Sequence, residues 1–418
     1  MSDTTKEKVK PVSASELDAL LTAMLKRAEG ISDLLFVAGK PPQIEVHGHL
    51  KSYEPEPVLT SARIEGLARA IINGNERLEH DLVNQGSCDC SYSLGAQGRF
   101  RVNVFWQNGN FALVLRRLQS QIPTMDALQL PAAFKEVIKE KTGLIFVTGA
   151  TGSGKTTTLA AMLNEINLTQ DVHVVTLEDP VEFMHPHHQA LFSQRELGRD
   201  FFGFPAGLRA ALRQAPKIIF VGEIRDRETM EIALTAGETG HVVYSTLHTI
   251  SAGQSISRII GMFSKDEEQQ VRERLAGALR YIISQRLIPK IGGGRVLATE
   301  LMGNSLRTRE VISLGETEGR RLNDIIEAGN VGGWHTFEQS LLKLFREELI
   351  TEETALLYCT NKAAMHQRLD RAKKEMETSH YEKLKMMHVT KPASAESKPA
   401  PALTLSPNPN PLPPPASL

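Results

Sequence analysis

Eight consecutive residues, Gly149-Ala150-Thr151-Gly152-Ser153-Gly154-Lys155-Thr156, fill every position of the pattern G-x-x-x-x-G-K-[ST]. They stand directly behind an apolar run, Leu144-Ile145-Phe146-Val147, of strand length. This order places a loop between the carboxyl end of a strand and the amino end of a helix. There the glycines let successive backbone N–H groups turn inward around phosphate oxygens, Lys155 reaches toward the β and γ phosphates, and the Thr156 hydroxyl can ligate Mg²⁺. The helix beginning near Lys155 adds its positive N-terminal end. The pattern implies binding of ATP or GTP through Gly149, Thr151, Gly152, Ser153, Gly154, Lys155, Thr156 and Thr157.

Charge and composition limit the remaining possibilities. Lys and Arg number 48 against 49 Asp and Glu, so the chain has no overall positive field to gather nucleic acid, and no nucleic-acid partner is expected. No uninterrupted apolar stretch approaches the roughly 18–20 residues that cross a bilayer, and residues 1–10 are polar and charged rather than a signal peptide. The expectation is a cytoplasmic protein, at most peripherally bound to a membrane. Cys88, Cys90 and Cys359 make no disulfide framework, and no second Cys or His pair follows Cys88-x-Cys90 at zinc spacing.

The 418 residues suffice for two or three domains. After a polar leader, 1–12, Ser13 and Glu16 form a capping box, and Leu17, Leu20, Leu21, Met24 and Leu25 make the stripe of an amphipathic helix ending at Gly30. Strand patterns follow at 33–37 and 43–46. Phe100, Val102, Val104 and Trp106 then alternate with Arg101, Asn103 and Phe105, and Gln107-Asn108-Gly109-Asn110 turns the chain back into a hairpin partner at 111–117. Residues 13–117 read as a mixed α/β domain with an antiparallel sheet, and 118–131, with two prolines, as a linker. Within 132–374, short apolar strands at 144–148, 173–177, 217–221 and 242–246 alternate with longer helical segments. This pattern predicts a parallel sheet covered by helices on both sides, with a helical C-terminal part after Leu301. Residues 375–418 are charged, then rich in proline, with nine prolines from Lys391 onward, and should be disordered.

Phosphoryl transfer requires a metal ligand shell, a carboxylate to orient water and positive charge at the γ-phosphate. The apolar strand Ile218-Ile219-Phe220-Val221 ends in Gly222-Glu223, which puts Glu223 where a Walker B acid supports Mg²⁺ through water. Glu178-Asp179-Pro180-Val181-Glu182 follows another strand and offers three carboxylates.

Taken together, 149–156, 178–183, Leu212-Arg213 with 222–226, and Glu238-Thr239-Gly240-His241 through Ser245-Thr246-Leu247-His248 resemble the Walker A, Asp, Walker B and His boxes of the type II/IV secretion ATPase superfamily. The similarity runs from about residue 15 to 370 and is strongest to the branch that retracts type IV pili in twitching motility. It implies a PAS-like N-terminal α/β domain, a C-terminal RecA-like P-loop domain and a homohexameric Mg²⁺-dependent ATPase acting on an inner-membrane platform protein of the pilus machine. It also implies residue roles. Glu182 would activate water, and Glu223 with Thr156 would hold Mg²⁺. His248 would sense the γ-phosphate side, His241 being the second histidine of that box. Lys155 would bind phosphate, and Arg101 and Arg116 would project from the N-terminal domain toward the nucleotide. The chain lacks the tetracysteine insertion and the extra N-terminal domain usual in assembly ATPases, which favours the retraction branch. Its residues 305–312 match the C-terminal retraction signature only in part. An accessory retraction ATPase, paralogous to and partnered with the main motor, is therefore the alternative, with another secretion ATPase behind it.

Overall fold

The computed structural model describes residues 11–118, 121–329 and 332–389. The chain divides into two compact units, Met1–Met365 and His366–Leu418. The first holds two sheets. The N-terminal sheet contains β1 (Ile31–Phe36), β2 (Gln43–Val46), β3 (His49–Ser52), β4 (Ser87–Ser93), β5 (Arg99–Gln107) and β6 (Asn110–Arg117), in the order β3-β2-β1-β6-β5-β4. Every neighbouring pair in it is antiparallel.

The alternation along β5 does what period-two patterning requires. Phe100, Val102 and Val104 are fully buried in the core of this sheet, which leaves Arg99, Arg101 and Asn103 on the opposite face. Asn108 and Gly109 connect β5 to β6 with φ of 50° and 74°. Positive φ at both positions suits the twist of a two-residue hairpin. The helix Ala14–Leu25 covers the core side with Leu17, Leu20, Leu21 and Met24. Ser13 caps it, accepting from Glu16 N at 3.2 Å. The Glu16 carboxylate, however, pairs with Arg63 at 2.6 Å, so the reciprocal half of the expected box is replaced by an ion pair to another helix. The helix ends at Leu25, five residues before Gly30. β3 and β4, too polar to show as alternation, were not expected.

The second sheet contains β7 (Gly143–Thr148), β8 (His173–Glu178), β9 (Leu191–Glu196), β10 (Ile218–Val221), β11 (Val242–Leu247), β12 (Leu279–Pro289) and β13 (Arg295–Gly303), ordered β13-β12-β7-β11-β10-β8-β9. All neighbours are parallel except β12 and β13, which form an antiparallel hairpin at one edge. A strand that is apolar at every position needs cover on both faces. β7 has it: Ile145 and Val147 pack with Leu159, Met162 and Leu163 of the helix Lys155–Thr169, whereas Leu144 and Phe146 join the opposite cluster with Met230, Ala233 and Leu234 of Arg227–Glu238. The parallel sheet flanked by helices was expected. β9, β12 and β13 were not.

After β13 the chain is helical, through Leu306–Leu314, Leu322–Ala328, Phe337–Arg346 and Glu352–Tyr358. The helix Lys362–Val389 enters the second unit and continues beyond 374, where the sequence pattern placed the start of a disordered tail. The leader residues 1–10 and the proline-rich stretch 390–418 lie outside the described residues. No described helix is long and apolar enough to cross a membrane.

Phe146 has no exposed surface and lies on β7, the strand that leads into the phosphate loop. Phe146→Ala should cost about 3–5 kcal/mol by transfer and cavity terms. Denaturant titration of the full chain would measure it, and a loss below about 1 kcal/mol would show that the layer collapses around the gap.

Candidate functional site

The phosphate loop leaves β7 through Gly149, at φ 150°. A Cβ there would stand 2.5 Å from Ser153 Oγ and 2.6 Å from Gln285 O, so no side chain fits. Gly152 and Gly154 follow at φ 78° and 88°, and Lys155 opens the helix. Its Nζ is 9 % exposed as a residue and donates to Gly149 O at 2.9 Å and Ala150 O at 3.1 Å. Burial pushes the ammonium pKa down, opposed by the charges of Glu223 and Glu182. Ser153 Oγ is buried with no partner among protein groups. Buried polar atoms are normally satisfied. A lysine, an unpartnered hydroxyl and a glycine-shaped loop at a helix N-terminus suit a phosphate chain.

A cavity of about 600 Å³ opens over this loop between the two sheets, lined by Thr151, Gly152 and Thr157, by Glu182 and by Arg101 and Arg116. Six of the sequence-derived site residues thus meet at one cavity. Burial raises the pKa of Glu182, while Arg101, a hydrogen bond from Thr156 and Lys155 act against it. Arg101 projects from the polar face of β5 and is loosely paired with Asp89 at 3.9 Å. Arg116 stands opposite Asp33 across β6 and β1 and donates to its buried carboxylate at 2.9 Å, with its own side chain 70 % exposed.

Glu223 lies just beyond β10 and is paired with His248 Nε2 at 3.3 Å and with Arg225. His248 and Arg225 face a neighbouring cavity of about 530 Å³ with Thr249, Gln254 and Arg258. Thr156, hydrogen-bonded to Glu182, and Glu223, near enough to act on Lys155, supply hard oxygen donors of the kind Mg²⁺ takes. His241 does not join them. It precedes β11 while His248 follows it, so a full strand of about 3.3 Å per residue separates the two, and the ring of His241 turns back to Ala236 O at 3.3 Å.

Of the three carboxylates expected after β8, Glu178 is withdrawn from the cavity. It is buried in the sheet and accepts from Thr176 at 2.6 Å and Gln194 at 3.3 Å. Burial also raises the pKa of Asp179, with Arg101 opposing. Sequence reading did not place Arg99, Gln194 and Glu196, which hold the backbone of the Glu182 loop, or Ser91, which holds Glu196, at the site. Arg99 falls on the polar register of β5 beside Arg101. That was the available signal.

A phosphate loop on an interior strand of a largely parallel sheet, with acids beyond the carboxyl ends of β10 and β8 in the same sheet, defines a RecA-like P-loop domain. The chain belongs to the type II/IV secretion system protein family, whose model matches residues 68–328. It is 42 % identical over 327 residues to the type IV pilus retraction ATPase PilT of Pseudomonas aeruginosa, covering 78 % of this chain and 94 % of that protein. The type IV pilus ATPase PilU of the same organism is 36 % identical over 344 residues, with 82 % and 88 % covered. A crystal structure of the pilus retraction motor PilT with bound ADP superposes with a TM-score of 0.75 at 40 % identity, covering 87 % of this chain and 100 % of that one.

Burial pushes the pKa of Glu178 from 4.5 up to about 7. Because the folded value exceeds the unfolded one, the stabilisation is complete below about pH 4.5 and is lost as pH rises through about 7. Glu178→Gln keeps the shape and the contacts to Thr176 and Gln194 without ionising. It should melt above the wild type at about pH 8 and level with it at about pH 4, as read by thermal scans. A constant difference would show that this carboxyl is already neutral, or already charged, throughout.

Proposed function

We propose that this chain is a Mg²⁺-dependent ATP hydrolase that powers type IV pilus retraction as a homohexameric ring. The observation that carries the reading is the shared cavity, in which phosphate-loop residues, Glu182 and the arginines of the N-terminal sheet face one volume. Phosphate chains would bind through Gly149, Thr151, Gly152, Ser153, Gly154, Lys155, Thr156 and Thr157. Thr156 and Glu223 would hold Mg²⁺, the latter through water. Bound there, the metal would neutralise charge on the phosphates.

Glu182 orients the attacking water and accepts its proton; the upward pull of burial on its pKa improves a carboxylate for that task. Lys155 exchanges its two carbonyl partners for phosphate oxygens. Arg101 and Arg116 bring positive charge from the N-terminal sheet, so that closure of the cavity and charge stabilisation coincide. His248, against Glu223, monitors the γ-phosphate side. In this reading residues 13–117 would act as the lid and 132–374 as the nucleotide base. Ring assembly, the inner-membrane platform protein as load and a place at the membrane's cytoplasmic side follow from the family likeness. An accessory motor is the second reading, carried by the likeness to PilU and by the altered residues 305–312.

Lys155→Ala should abolish nucleotide binding. Glu182→Gln should keep binding and lower kcat about a hundredfold or more. Steady-state hydrolysis with Mg²⁺, run with light scattering on the same samples, checks both chemistry and ring. Normal turnover by Glu182→Gln would remove Glu182 as the base, and monomer alone across the micromolar range with ATP would remove the hexamer.

A further inference from the structure

Residues 179–185 carry Glu182 and form neither strand nor helix, so their backbone groups must be satisfied by something other than a ladder. Two side chains of β9 do this. Glu196 Oε2 accepts from Val181 N at 3.2 Å; Gln194 Nε2 donates to Phe183 O at 2.8 Å, and its Oε1 accepts from His185 N at 2.8 Å. Glu182 lies between these anchor points.

The anchor at Glu196 is also the meeting point with the N-terminal sheet. Arg99 of β5 donates to Glu196 Oε2 at 2.8 Å and to Val181 O at 2.8 Å. Ser91 of β4 donates to Glu196 Oε1. The Arg99 and Glu196 side chains are only 15 % and 8 % exposed. Close by, Gly198 admits the guanidinium of Arg77, from the helix Glu76–Gln85, to within 2.4 Å of where a Cβ would stand. Arg99 and Arg101 occupy the same face of β5 two residues apart. One grips the loop while the other lines the cavity, so any displacement of β5 moves both.

We propose that Glu196 is a positioning residue for Glu182, and that the Arg99–Glu196 ion pair is the linkage by which the N-terminal sheet sets the geometry of the Glu182 loop. This rests on the reading of Glu182 as the water-orienting carboxylate. A charge-assisted pair in a dry environment is directional and costly to leave half-made. Breaking it frees Val181, the residue just before Glu182. Misplacement of a reacting group by about 1 Å can cost about a hundredfold in rate.

The test uses the full chain and compares Arg99→Ala, Glu196→Gln and their combination with wild type and Glu182→Gln, reading kcat, KM for ATP and melting temperature. Each single variant should lower kcat about tenfold or more with KM within about twofold, a split that marks loss of transition-state geometry rather than binding. The combination should be no worse than the poorer single, because both remove one linkage. Arg99→Lys should restore part of the rate. Wild-type kcat in the singles, or effects that multiply in the combination, would overturn the linkage while leaving the base assignment intact if Glu182→Gln is inactive. Failure of the wild type to hydrolyse ATP, or normal turnover by Glu182→Gln, would instead sink the underlying reading and this inference with it. Should Glu196→Gln unfold, Ser91→Ala removes one Glu196 partner and leaves both charges paired; it should lower kcat about twofold to threefold at constant KM, and no change would count against the linkage.

Discussion

The site depends on one steric fact at the end of β7. With Ser153 Oγ at 2.5 Å and Gln285 O at 2.6 Å from its missing Cβ, Gly149 lets the chain leave the interior strand β7 in a direction closed to any other residue. That exit sets the loop at the sheet's carboxyl edge, where parallel α/β sheets collect ligands. β7 is held there between β11 and β12, both parallel to it, and is covered on each face by helices. The strand is rigid so that its end can be unusual.

Around that edge, burial sorts the acids. Glu178, Asp179 and Glu182 are close in sequence, and desolvation raises the pKa of all three. What distinguishes them is their partners. Glu178 is met by a hydroxyl and an amide and belongs to the sheet; Glu182 is met by Thr156, Lys155 and Arg101 and faces the cavity. A pair of carboxylates four residues apart is thereby split into a structural acid and a candidate base. Glu196 is the third case, an acid bound by an arginine, a serine and a backbone N–H, and it contributes its charge to an interface rather than to chemistry.

The parts of this arrangement that were legible in the sequence share a local signature. The phosphate loop, the largely apolar strands β7, β8, β10 and β11, and the Asn108-Gly109 hairpin each announce themselves within about ten residues. β9 does not, because Ser193, Gln194, Arg195 and Glu196 read as a polar turn until their partners in the 179–185 loop and in β5 are known. β12 and β13 carried a signal that went unused: aliphatic runs separated by Gly292-Gly293-Gly294, all at positive φ, are a hairpin pattern. Arg99 and Glu196 are 97 residues apart, and no spacing rule connects them. His241 and His248 share one sequence motif, yet the length of β11 lies between them.

Lys155 does not stand in open solvent. Its ammonium is tied to the carbonyls of Gly149 and Ala150, residues of the very loop it serves. On the proposed function, a phosphate would replace these two neutral acceptors with charged ones. Ser153 Oγ, by contrast, has no such internal partner, while Arg101 and Arg116 across the cavity each already face an aspartate. The loop thus holds its own lysine inward by its backbone, so that the position of the cation is set by the fold.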